Sequence, residues 1–139
     1  DLLMCTTNGT QAVAAAKQAD QLYTAALINM KSVVDEIAPL RQDLVIICSG
    51  TKGLFSLDDG LAAGILVNRL MKRKAYHLTD NARLMSLAIQ EEKDLKKALK
   101  ECYHLKVLVK NGFQADVDYC LSLDVLEAVP RLIDGYFIL

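Results

Sequence analysis

The sequence predicts an α/β fold: a three-layer α/β/α arrangement around a mostly parallel sheet, with extra helices and a β-hairpin at the C-terminal end. Two observations carry this. Short apolar runs alternate with helical patterns as far as about Arg73, and such alternation implies parallel strands with right-handed crossovers. The clearest run, Leu44-Val45-Ile46-Ile47-Cys48, is continuously apolar and β-branched at its centre, as in a strand covered on both faces. A third observation sets the scale: 53% of the 139 residues are hydrophobic, enough for one domain to bury a core.

Leu2 to Thr6 reads as the first buried strand and Thr7 to Thr10 as a tight turn. Residues 11–19 are Ala-rich and predict a helix. A second strand is expected over 21–27. Asn29 can cap the next helix, 30–38, which Pro39 helps to close. After the strand at 44–48 comes a loop with two glycines, then a long, mostly buried helix to about Arg73. Helices are expected over 80–92, with Asp80 as N-cap, and over 94–109, where Leu95, Leu99, Cys102 and Val109 form one stripe. Gly112 suits a C′ position, and a short helix covers 115–123. Asp134-Gly135 between apolar segments predicts a terminal hairpin over 129–139, with Pro130 at a strand start or edge. The chain begins at Asp1, directly in strand-like sequence, so more protein is expected upstream.

The formal charge is −1, which argues against a basic nucleic-acid surface or a polybasic membrane patch. No apolar stretch approaches membrane-spanning length. Cys5, Cys48, Cys102 and Cys120 are widely spaced, with no CxxC pair and no His at zinc-site spacing. Cys5 and Cys48 sit in apolar runs and are expected to be buried thiols. A core of this size does not need a disulfide framework, so a reducing compartment, the cytoplasm, is expected.

In open α/β sheets, ligands bind beyond the carboxyl ends of the strands. Two such ends carry unusual polar sequence. In Thr6-Thr7-Asn8-Gly9-Thr10, Gly9 permits close backbone approach, and the hydroxyls and amide can bind a phosphate or sulfonate. A plain turn with Thr10 as N-cap explains the same residues. In Ser49 to Asp59, two glycines and Lys52 precede the adjacent carboxylates Asp58 and Asp59. Such a pair can hold Mg²⁺, which keeps several waters and favours one or two carboxylates plus substrate phosphate. The Walker spacing is absent. Ser56-x-x-Asp59 also resembles a capping box. His104 lies on a helix, where a lone His is commonly structural, although it could bind an anion or move a proton.

The residues themselves resemble a known family. Cys5-Thr6-Thr7-Asn8-Gly9-Thr10 is similar to the Thr-Thr-Asn-Gly-Thr block of the 2-phosphosulfolactate phosphatases. Val45 to Gly64, with Ser49-Gly50, Phe55-Ser56-Leu57-Asp58-Asp59 and Ala63-Gly64, resembles their second long block. Asn29, Asp80, His104, Gly112-Phe113, Asp116, Tyr119-Cys120, Asp124 and Val129-Pro130 extend the likeness over the whole chain. The resemblance implies Mg²⁺-dependent hydrolysis of 2-phosphosulfolactate to sulfolactate and phosphate, a step towards coenzyme M in methanogens. It assigns Thr7, Asn8, Gly9, Thr10, Ser49 and Gly50 to substrate, Asp58 and Asp59 to the metal, and Asp58, Asp59 and His104 to catalysis. Homo-oligomerisation stays open.

Two departures stand out. Gln11 follows Asn8-Gly9-Thr10 where the family commonly has Arg, and Gln cannot pair bidentately with phosphate. Leu105 replaces a residue that is commonly Gly. Family members also carry a further N-terminal segment of domain scale, on the order of a hundred residues. Residues 1–139 are therefore expected to form a single α/β domain, the C-terminal part of a longer phosphatase and inactive alone. The rival expectations are a phosphatase for another small phosphoester, favoured by Gln11, and a non-catalytic paralogue that binds anions or a partner.

Overall fold

A computed structural model describes residues 3–90 and 95–139. Its element order is α1 (Gly9–Ala15), a 3-10 turn (Leu27–Asn29), α2 (Met30–Ile37), α3 (Leu57–Met71), α4 (Asp80–Ala88), α5 (Leu95–Leu99), α6 (Tyr103–Lys110), α7 (Gln114–Cys120), β1 (Arg131–Ile133) and β2 (Tyr136–Ile138).

Helix α3 is the axis of the molecule. It buries Leu61, Gly64, Ile65, Leu66, Val67 and Leu70, which together cover more than one face. That agrees with a helix packed from several sides. Helix α2 presents Met30, Val33, Val34 and Ile37, an i, i+3, i+4, i+7 stripe, to the same core. Ile89, Leu95, Leu99 and Cys102 complete it from the other direction. Each fully buried aliphatic side chain here contributes roughly 1.5–3 kcal/mol by the area it removes from water.

The tightest packing joins α3 to α4. Gly64 lies against the backbone of Met85, and a Cβ there would overlap the Met85 carbonyl oxygen and come 2.7 Å from Ile89 Cγ2. Asn68 strengthens the junction. Its Nδ2 donates to the carbonyls of Ile89 (2.6 Å) and Ser86 (3.2 Å), and its Oδ1 accepts from Ser86 Oγ at 2.5 Å. These bonds satisfy carbonyls at the C-terminal end of α4, which would otherwise lack partners.

Asp124 ties the C-terminal stretch to α2. It adopts φ +58° and directs its carboxylate at the Lys31 backbone N–H and at Arg69 Nη1, both at 2.7 Å. The neighbouring backbone follows, with Leu126 N–H donating to the Ile28 carbonyl at 2.8 Å. The Arg69 guanidinium and the neighbouring donors hold the Asp124 carboxyl below the usual carboxylate range, against a smaller opposing effect of burial.

The mixed helix-and-sheet character and the terminal hairpin agree with the sequence. Asp134 and Gly135 both have positive φ, and β1 pairs antiparallel with β2, Leu132 facing Phe137. Gly112 also sits as expected, at φ +88°. It closes α6 with Gly112 N–H to the Val109 carbonyl and Phe113 N–H to the Leu108 carbonyl, a Schellman motif.

The parallel sheet is where expectation and structure part. The segments at 3–6 and 44–48 form no ladder among the described residues. Leu3 is 98% exposed and Val45 85% exposed. A continuous apolar run announces that a strand wants cover on both faces, but it cannot supply the neighbouring strands. Cys5 and Cys48 are consequently exposed, and Cys102 is the buried thiol. The expected strand at 21–27 forms only a short antiparallel pairing, in which Tyr23 bridges Arg131 beside the hairpin. There Thr24 N–H donates to the Pro130 carbonyl and Leu132 N–H to the Leu22 carbonyl.

Smaller corrections concern caps and breaks. Thr79, not Asp80, is the N-cap of α4, its Oγ1 accepting from Ala82 N–H. Asn29 precedes α2, but its side chain makes no cap. It is buried and bonded to Ala26 N–H and to the Ala128 carbonyl. The helix expected over 94–109 is two helices, α5 and α6. The chain extends at Cys102 (ψ +124°), which keeps that thiol in the core while α6 turns outward. Position 94, and the end of the helix expected over 80–92, lie outside the described residues.

Candidate active site

The two polar turns meet. Asn8 Oδ1 accepts from the Lys52 backbone N–H at 3.2 Å, across 44 residues of sequence. Asp59 Oδ2 accepts from Gly50 N–H at 2.7 Å, so the first turn of α3 is tied to the end of the 44–48 segment. The loop between is a tight curl. Thr51 and Leu54 exchange backbone hydrogen bonds at 3.0 Å each, and Gly50, Lys52 and Gly53 all have positive φ. Gly50 is required here: at φ +69° it also faces the Leu54 carbonyl oxygen so closely that no Cβ fits.

Asp58 is the hub of a second contact set. Its carboxylate accepts from Ser56 Oγ in a short hydrogen bond, from Cys102 Sγ at 3.8 Å, and pairs with His104 Nδ1 at 3.1 Å. Ser56 and Cys102 are buried, whereas the Asp58 and His104 side chains are 20% and 43% exposed. Partial burial by itself would raise the Asp58 carboxyl. The hydrogen bonds from Ser56 and His104, with its own backbone N–H and the imidazole charge, outweigh burial and hold it below the usual range. Asp58 is therefore an ionised carboxylate at neutral pH. At Cys48 the thiol is pushed up, first by partial loss of solvent around it and then by the charge of Asp59.

Ser56 is the N-cap residue of α3 by position, yet its hydroxyl serves Asp58 and makes no cap to the helix backbone. The capping-box reading of Ser56 and Asp59 thus fails, because both side chains are turned to other partners. Around residue 9, Thr10 is not the N-cap of α1. Asn8 holds that position, while Thr10 Oγ1 donates to the Thr6 carbonyl at 2.6 Å and Thr10 N–H reaches Thr6 Oγ1 at 3.3 Å. Thr7 and Ser49 are exposed beside these contacts, and their side chains make no hydrogen bond among the described residues. The sequence missed two members of the cluster, Ser56 and Cys102. Their signal was spacing: Ser56 stands two residues before Asp58, and Cys102 two before His104.

Asp58 and Asp59 are the adjacent carboxylates that could hold a cation; Asp58 already accepts from Ser56 and Cys102, and Asp59 from the Gly50 N–H. Among the described residues no three His, Cys, Asp or Glu side chains gather as a metal cage. Two carboxylates fit Mg²⁺, which fills its remaining positions with water and phosphate oxygen. Also among the described residues, no helix is long and apolar enough to cross a membrane.

Comparison with known proteins supplies a family. The family 2-phosphosulpholactate phosphatase matches residues 1–135. A protein of Clostridium novyi (strain NT) named "Probable 2-phosphosulfolactate phosphatase" is 36% identical over 130 residues, covering 94% of this chain and 55% of that protein. A namesake from Thermotoga petrophila is 34% identical over 139 residues, covering 99% of this chain and 59% of its own length. The chain spans little more than half the length of these relatives. The matched region takes in the 6–10 turn, the 49–59 loop and His104, and on that match the chain belongs to the 2-phosphosulfolactate phosphatase family.

Proposed function

We propose that this chain is part of a Mg²⁺-dependent phosphatase that hydrolyses 2-phosphosulfolactate to sulfolactate and phosphate, a step of coenzyme M or sulfolactate biosynthesis. The observation that carries the proposal is the junction of the two polar turns through Asn8 and Lys52, with Asp58, Asp59 and His104 on the adjoining helices. Phosphate monoesters hydrolyse extremely slowly unaided, so a site must neutralise charge and position water.

The chain's own groups divide that work. Thr7, Asn8, Gly9 and Thr10 contact the substrate's anionic groups, with Ser49 and Gly50 as the floor. Asp58 and Asp59 hold the cation, directly or through water. When bound, Mg²⁺ would screen the phosphate oxygens. Asp58 orients His104 through Nδ1, which leaves the second ring nitrogen to exchange a proton with substrate or water. The finer fold belongs to the same proposal: 3–6 and 44–48 are strands of a parallel sheet completed by the rest of the protein, and the polar turns then share one rim. Their apolar exposure supports this.

The test uses protein of the relatives' full length, in which Asp58→Asn and Asp59→Asn keep side-chain shape. Each should lower Mg²⁺-dependent turnover by about two orders of magnitude or more, the usual size of an acid–base or metal-ligand contribution. Wild-type turnover in the double variant would reject the assignment. Gln11 favours a second reading, a phosphatase for another small phosphoester, because the bidentate Arg common in the family is missing. Comparing kcat/KM over phosphorylated hydroxy acids and sugar phosphates separates the two.

A further inference from the structure

Helices α5, α6 and α7 line an open groove of about 460 Å³ that the phosphatase reading does not use. Its floor is apolar, formed by Leu99, Leu105, Val117 and Leu121, and its rim carries Lys96, Lys100, Lys106 and Lys110. Helical spacing explains the arrangement. Leu105 and Val109 share one face of α6, and Lys106 and Lys110 flank it one residue on.

The rim charge is concentrated. In a chain of formal charge −1, four lysines face the single carboxylate of Asp118, which accepts from Gln114 Nε2 at 3.2 Å. Lys106 is paired with Glu101. Lys96, Lys100 and Lys110 have no ion pair among the described residues, and among those residues the rim carries a cationic excess.

We infer that this groove binds a small anionic amphiphile, a short-chain alkyl carboxylate, with the chain on the apolar floor and the head group among the lysines. The volume lies in the range of small-molecule sites. Helix α6, which forms one wall, spans about 12 Å over its eight residues, little more than two helical turns. Charge complementarity selects a carboxylate over a neutral chain, and the apolar floor selects an alkyl chain over a bare anion. Binding here does not depend on the phosphatase reading.

The experiment is titration calorimetry of the full-length protein with octanoate, 1-octanol and acetate. Octanoate should bind, acetate should not, and 1-octanol should bind about tenfold more weakly, since three exposed lysines together supply roughly that factor. Replacing Lys96, Lys100 and Lys110 together by Gln should weaken octanoate by about the same factor and leave 1-octanol unchanged. These lysines are exposed, so the variant keeps its core. Val109→Asp, also at an exposed position, should weaken both ligands. Equal affinity for octanoate and octanol, indifference to the lysine changes, or tighter binding of an acidic amphipathic peptide than of octanoate would each overturn the inference.

Discussion

Replacing Asp124 by Ala should cost about 2–3 kcal/mol at neutral pH. The structure gives the parts. The hydrogen bond to Lys31 N–H caps α2, and losing a cap costs about 1 kcal/mol. The pair with Arg69 is charge-assisted at 2.7 Å, worth about 1.5–3 kcal/mol where dry. With side-chain exposures of 14% for Arg69 and 28% for Asp124, solvent screening brings it to the lower end or below. Ala must also adopt φ +58°, a conformation Asp tolerates better. For a domain of this size the sum corresponds to a Tm lower by roughly 5–10 °C. The pH dependence has a definite sign. The folded carboxyl titrates below its unfolded value, so its stabilisation is complete above the unfolded pKa of about 3.9 and fades as pH falls through the folded pKa. Thermal melts of both proteins at pH 7 and near pH 2.5 check this. A Tm gap of the same size at both pH values would refute the electrostatic account and leave only the backbone contribution.

Two other perturbations test the packing and the loop junction. Gly64→Ala gains about 1 kcal/mol of helix propensity but drives a methyl into the Met85 backbone, costing about 1–3 kcal/mol. A denaturant midpoint at or above wild type would show that α3 and α4 are not so close. Asn8→Ala removes the side-chain acceptor of the Lys52 amide, an exposed bond worth about 1 kcal/mol, so hydrogen exchange at Lys52 should quicken about fivefold. Unchanged exchange there would mean that the two turns are not joined in solution.

Much of this protein was legible in its residues because the deciding physics is local. The apolar spacing of Met30, Val33, Val34 and Ile37, the Schellman glycine at 112 and the Asp134-Gly135 turn each fix a short stretch through neighbours a few positions away. Asp58 and Asp59 could be recognised as an acidic pair at a helix start. What they touch could not, since Ser56, Cys102 and His104 reach Asp58 from both sides of a 44-residue separation. The same holds for the sheet. An apolar run such as Val45-Ile46-Ile47 states a demand for cover, but strand pairing is a property of two segments, and only assembly in three dimensions decides which partners exist. Tyr23 shows the outcome: its segment finds Arg131 more than a hundred residues away and pairs antiparallel, because the folded chain brings that edge within hydrogen-bonding reach.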